Sequence, residues 1–162
     1  MPADDFLKID GIEGESTDAD HGGWIEVLSF NWGISQTASA SASSSGGGTT
    51  QRADLQDLSI VKLLDSATPV LFKTCAKGGH IDEVKVELCR AGGDKLTYME
   101  YIMNNVIISS VSTGGGGGGE PTESVTFNYG KIELIYTKQE RKGGGGGGKV
   151  AFCWDLETNA EC

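Results

Sequence analysis

Residues 24–35 read Trp24-Ile25-Glu26-Val27-Leu28-Ser29-Phe30-Asn31-Trp32-Gly33-Ile34-Ser35. At a period of two, Leu28, Phe30, Trp32 and Ile34 share one side, and Ser29, Asn31, Gly33 and Ser35 share the other. This is the pattern of a long strand with one buried face and one small, polar face. A helix fits poorly. At 3.6 residues per turn the two aromatics leave the stripe of Leu28 and Ile34, and Gly33 weakens the turn. Two of the three tryptophans lie in this stretch, so it is expected to anchor the core. The uncharged face either meets solvent or lines a wet cavity.

Upstream of this stretch, Phe6 to Ile12 alternates as a first strand, and Glu13 to Gly23 is a polar, Gly- and Asp-rich loop. Downstream, Gln36 to Thr50 is almost wholly small and polar and cannot bury enough apolar surface to fold alone. It reads as an extended surface loop of a length that usually serves binding or remains mobile. Asp54 to Leu64 reads as a third strand. The helix signal follows: Ser66 or Thr68 as cap, Pro69 in the first turn, Val70 to Ala76 as body, Lys77 at the C-terminal end and Gly78 as stop.

Ile81 to Ala91 alternates as a strand and runs into a tight connection at Ala91-Gly92-Gly93-Asp94. Lys95 to Val111 is a long strand, bent at Asn104-Asn105, with both faces apolar: Leu96, Tyr98 and Ile102 on one, Met99, Tyr101 and Met103 on the other. After the loop Gly114 to Gly119, closed by Pro121, Ser124 to Thr137 forms the next strand. Its apolar parity flips at Gly130, which predicts a bulge there. A second run, Gly143 to Gly148, precedes a last strand, Lys149 to Leu156. The expected fold is a mostly β single domain over residues 1–162. It is an antiparallel β-barrel or sandwich of about seven strands with one flanking α-helix, because βαβ connections are absent. Residues 157–162 are a short polar tail.

The net charge is −10, and residues 1–26 hold eight Asp and Glu against one lysine, Lys8. Nucleic acid and anionic membrane need clustered Lys and Arg, so both are disfavoured as partners. The start, MPADDFLKIDG, is acidic and lacks the apolar region of a Sec-type signal. Apolar runs are too short to span a bilayer. Cys75, Cys89, Cys153 and Cys162 show no CxxC spacing and are expected to be free thiols in a reducing compartment.

Candidate chemistries fail one by one. Gly143 to Val150 nearly spells a P-loop but lacks the Ser or Thr that ligates Mg²⁺, and a strand follows it. Gly114 to Gly119 satisfies GxGxxG trivially and leads into Glu120-Pro121 rather than a helix. The segment from Asp18 to Gly23 resembles a Ca²⁺ loop, but its twelfth position, Ser29, is no bidentate Glu; it reads as a solvated acidic loop. Cys75, His80 and Cys89 lack a fourth zinc ligand at fitting spacing. A Ser-His-Asp site would have only His21 or His80, and there is no GxSxG elbow. No enzyme, metal or cofactor is expected.

A set of segments in order resembles the Hcp family, the tube proteins of bacterial type VI secretion systems. They are Asp5-Phe6-Leu7-Lys8-Ile9, Gly14-Glu15-Ser16-Thr17-Asp18, His21, Ile25-Glu26-Val27-Leu28 and Trp32-Gly33-Ile34-Ser35. The series continues with Asp65-x-x-Thr68-Pro69, Arg90-Ala91-Gly92-Gly93-Asp94, Val106 to Ser112, Pro121 to Phe127 with Tyr129, and Trp154. The two six-glycine runs and the terminal Cys162 depart from the family pattern. The resemblance implies a phage tail-tube-like fold and a homo-hexameric ring stacking into tubes, with a spike protein at the tip and a sheath around the tube. Small effectors would ride in the lumen, and the protein would be made in the cytoplasm and secreted without a signal peptide. In that setting the polar face, Ser29 and Asn31, would be luminal and cargo-facing. The loop bearing Gln36, Ser39, Ser41, Ser43 and Thr50 would reach the next ring. The doubly apolar strand independently calls for a neighbour, since a monomeric barrel buries one face. The rival class is a monomeric β-barrel that binds a small molecule or carbohydrate.

Overall fold

A computed structural model describes residues 4–36, 52–90, 96–139 and 146–162 of the chain. Among them are eleven strands and one helix. β1 (Asp5–Ile9), β2 (Ile25–Val27), β3 (Ser29–Asn31), β4 (Ile34–Ser35), β5 (Asp54–Leu55) and β6 (Leu58–Leu63) precede α1 (Thr68–Lys77). β7 (His80–Cys89), β8 (Thr97–Gly114), β9 (Thr122–Gln139), β10 (Gly146–Asp155) and β11 (Ala160–Glu161) follow it. All pairings are antiparallel, and the main path runs β11-β10-β9-β8-β7-β1-β2, with β6 joining β3 to β9. The result is a β-sandwich rather than a closed barrel. The larger strand number arises because residues 24–35 and 54–64 are broken into shorter strands and because β11 forms in the stretch expected to be a tail.

The break that matters most lies in residues 24–35. Ile25 and Val27 are buried and pair with β1, whereas Ser29 to Asn31 pair with β6. The chain changes partner at Leu28, whose N–H donates to the Val61 carbonyl at 2.8 Å. Changing partner also changes parity. Ile25 and Val27 (odd) face the core before the switch, and Phe30 and Trp32 (even) pack against it afterwards. Leu28 at the corner is 51% exposed, and Ile34, in the separate β4–β5 pair, is 48% exposed. The expected single strand with four apolar residues on one buried face is therefore corrected to three short strands with the core face exchanged midway.

β8 and β9 carry the central ribbon. Tyr101 and Met103 are buried on one side of Asn105, and Val106 and Ile108 on the other, so parity flips in β8. In β9 the flip falls between Tyr129 and Ile132, around Gly130 as expected. No bulge accompanies it. Asn104 pairs with Lys131 and Val106 with Tyr129, so the two flips face each other and the register passes through unshifted. Asn105 takes a left-handed φ of 53°, and a side chain at Gly130 would meet the Asn105 side chain at 3.1–3.3 Å. The register shift occurs instead between Ile108 and Ser110.

The helix ends at Gly78 with φ 63°, as its sequence predicts. Its start differs. The N-cap is Ala67, with no side-chain cap. The Thr68 hydroxyl accepts from the Asp65 N–H at 3.0 Å and donates to Glu123 at 2.7 Å. Glu123 is also bonded by the Lys62 ammonium at 2.6 Å, and both charged side chains are fully buried. Asp65 holds the same ammonium at 2.9 Å. A buried ion pair replaces the expected cap because β6 and β9, paired at Lys62 and Glu123, bring the two charges under the helix start.

Two further expectations are overturned. Cys153 and Cys162 form a disulfide with Cα atoms 5.4 Å apart, closing the hairpin of β10 and β11, so residues 157–162 are not a loose tail. Cys75 and Cys89 remain thiols. His21, placed by sequence in a solvated loop, is 4% exposed. Its ring stacks on Phe6 at 4.2 Å and meets Trp24 edge-on at 4.7 Å, so the apolar groups of β1 and the entry to β2 enclose it. The connection 91–94 lies outside the described residues.

Candidate functional site: a polar face across four strands

Ser29 and Asn31 are both exposed on β3. Opposite them on β6 stand Val61 and Ser59. β6 carries the rows on to β9, where Ser59 meets Thr126 and Val61 meets Ser124. β9 carries them to β8, where Thr126 meets Ser110 and Ser124 meets Ser112. One row is thus Asn31, Ser59, Thr126, Ser110; the next is Ser29, Val61, Ser124, Ser112. Side chains directly opposite across antiparallel strands share a face, so the eight form one surface. The interleaved row, Phe30, Ile60, Val125 and Val111, points the other way: Ile60 and Val125 are fully buried, and Phe30 and Val111 pack against the core.

This surface carries hydroxyls, one amide, one valine and no charge in its two rows. The Ser59 and Thr126 hydroxyls lie 3.4 Å apart. At its border Asp57 supplies one carboxylate, which accepts from the Ser109 hydroxyl and from the Asn128 amide, each at 2.9 Å. Asp57 is thereby engaged by the sheet.

The edge bearing Ser29 and Asn31 is held rigid from behind. The Trp32 indole N–H donates to the Tyr129 hydroxyl at 2.6 Å, and that hydroxyl donates to the Gln56 carbonyl at 2.6 Å. Burial pushes the Tyr129 phenol up to about 12, opposed by the Trp32 hydrogen bond and reinforced by Asp57 and Asp54. Phe30 and Trp32 both pack on Tyr101, at centroid distances of 5.5 and 6.1 Å. Burial, with Tyr98 nearby, raises the Tyr101 phenol as well.

Sequence reasoning named Ser29 and Asn31 but not the six partners on β6, β9 and β8. Their signal, alternate Ser and Thr in three distant strands, acquires meaning only once the register is known. Gln36 is exposed just beyond β4; Ser39, Ser41, Ser43 and Thr50 lie outside the described residues. Two apolar groups also remain exposed. Tyr136 pairs with Val150 on the β9–β10 edge, and Phe152 lies two residues along. Leu63, Leu64, Val70 and Phe72 cluster in sequence around the β6–α1 junction. No helix of the described residues is long and apolar enough to cross a membrane.

Residues 6–136 match the family described as type VI secretion system effector, Hcp. The chain is 38% identical to Protein hcp1 of Pseudomonas aeruginosa over 163 residues, covering 99% of each. Among solved structures it is similar to one titled as a type six secretion system protein, at 32% identity, 99% coverage of both chains and a TM-score of 0.91. It is also similar to Hcp1 from Salmonella typhimurium, at 33% identity, complete coverage of both chains and a TM-score of 0.82.

Proposed function

Because this chain belongs to the Hcp family of type VI secretion system effectors, we propose that it is the tube subunit of such a system: six copies close into a ring, rings stack, and small effectors are carried within. The observation that carries this reading is the four-strand polar face. A conduit passing varied cargo needs a wall that water wets, that bears little charge and that offers no large apolar anchor. The rows from Asn31 to Ser110 and from Ser29 to Ser112 meet all three needs. The two exposed apolar groups supply the ring contacts. They differ from each other, so they fit a head-to-tail, heterologous interface, which closes into a ring when the rotation allows. The segment from Gln36 to Thr50, including Ser39, Ser41 and Ser43, docks on the next ring. The sheath surrounds the stacked tube and a spike protein caps it.

Static light scattering and negative-stain images test the assembly. A hexameric mass and annular particles are expected, and a monomer at micromolar concentration refutes the ring. Asn31→Trp tests the wall. Facing a wide channel, the larger side chain displaces only water, so folding and ring mass stay near wild type while effector retention falls. Facing a packed interior, it would cost roughly 1–3 kcal/mol of stability. Wild-type retention in a folded, ring-forming variant removes Asn31 from the cargo path.

A further inference from the structure

His21 sits in an arrangement that the tube reading does not use. Its Nδ1 lies 2.8 Å from Asp18 Oδ2 and its Nε2 lies 2.6 Å from Glu87 Oε2. Beside Nε2, at 3.9 Å, is the Cys89 thiol. Nε2, a Glu87 carboxylate oxygen and Cys89 Sγ all fall within 4.8 Å of one another. The Thr97 hydroxyl reaches both the Cys89 sulfur and Glu87 Oε2 at 3.4 Å. We propose that His21, Glu87 and Cys89 form a binding site for one divalent cation of the zinc class.

Three features support this. The donor set is one imidazole, one thiolate and one carboxylate, which zinc accepts and which hard cations such as Mg²⁺ or Ca²⁺ do not favour. The spacing suits a single ion. Tetrahedral bonds of about 2.0–2.3 Å put ligand atoms about 3.3–3.6 Å apart, so the Cys89 contact is nearly in place and a small rotation of Glu87 completes the set. The His21 ring is also oriented from behind by Asp18. Asp18 accepts from Nδ1–H, which fixes the tautomer that leaves the Nε2 lone pair toward the ion, as carboxylate–histidine–zinc arrangements do. The three residues leave one coordination position, and Glu87, 13% exposed in its side chain, marks the way to solvent. A bound ion would tie the loop before β2 to β7.

The test uses the untagged, disulfide-intact protein, stripped with chelator and titrated with Co²⁺. A thiolate-to-cobalt charge-transfer band saturating at one equivalent is expected, and Zn²⁺ should abolish it. Cys89→Ser should remove the band and Cys75→Ala should keep it. Asp18→Asn should weaken affinity about 10–100-fold. X-ray absorption of zinc-loaded wild type needs no variant; it should show one sulfur at about 2.3 Å with nitrogen or oxygen at about 2.0–2.2 Å. An absent band, a band that survives Cys89→Ser, or a zinc shell without sulfur overturns the proposal.

Discussion

Lys62 and Glu123 offer a direct measure of what holds α1 to the sheet. Both side chains are fully buried and joined at 2.6 Å. Lys62→Met removes the charge and keeps most of the stem. Among the described residues Glu123 then retains only the Thr68 hydroxyl at Oε2, and its Oε1 has no partner with the ammonium present or absent. Removing one member of a buried ion pair typically costs about 3–5 kcal/mol, because the other charge is left in a low-dielectric site. The upper half of that range applies here: the ammonium is also lost to Asp65 at 2.9 Å and to Thr68 at 3.3 Å, which are groups at the helix entry. The double variant Lys62→Met with Glu123→Met replaces the pair by apolar groups of similar volume and should recover the part of the loss that comes from the stranded Glu123 charge, though not the part that Asp65 and Thr68 lose, since isosteric apolar replacement of buried pairs is often neutral or stabilising. Denaturant midpoints at one fixed protein concentration give the cycle, the concentration being held because assembly shifts apparent stability. A single-variant cost below about 1 kcal/mol would refute a dry, unscreened pair. So would a double variant no better than the single.

Reducing Cys153–Cys162, or replacing Cys162 by Ser, should lower the thermal midpoint, because closing a loop of sequence separation 9 is worth up to about 2–3 kcal/mol. An unchanged midpoint with and without reductant would mean that the hairpin is not covalently closed. Tyr129, pushed up to about 12 against the usual value of about 10, keeps its proton longer folded than unfolded. Its contribution is therefore full below about pH 10 and declines as pH rises toward 12; phenolate absorbance should show a late step that Tyr129→Phe removes, while the raised Tyr101 remains in that variant. Gly130→Val should destabilise by about 1–3 kcal/mol in chemical denaturation, since its side chain would crowd Asn105 at the point where both strands exchange faces.

Much of the architecture was legible because it is written in short-range pattern. Val84, Val86 and Leu88 alternate with charged neighbours and do form β7, and Gly78 does end α1 through a positive φ. The parity change at Gly130 was visible in Phe127 and Tyr129 set against Ile132. Its cause was not, because Asn105 lies 25 residues away and the register alone shows the two flips cancelling. The same limit explains the other corrections. Leu28 looks like a core residue until β2 and β3 are seen to have different partners. Nothing in the sequence joins Lys62 to Glu123 until β6 and β9 are paired, and His21 looks solvated until Glu87, 66 positions on, closes over it. Cys153 and Cys162 are spaced so that only a turn between β10 and β11 brings their Cα atoms to 5.4 Å.

The polar face combines both cases. Its first two members could be read in Ser29 and Asn31, where small polar side chains alternate with aromatics. The remaining members stand in β6, β9 and β8, each alternating with its own buried partner: Ser59 with Ile60, Thr126 with Val125 and Phe127, Ser110 with Val111. None of these strands marks a site when read alone. Placed side by side they leave no large apolar or charged side chain in either row, although the chain as a whole carries 22% charged residues. Edge strands commonly carry charged side chains, Lys above all, that discourage unwanted strand pairing, and β3, at the edge of this face, carries none. A face that omits charge across four strands, exposed at β3 and β8 and half-buried at β6 and β9, suits a wet wall that cargo must pass without sticking.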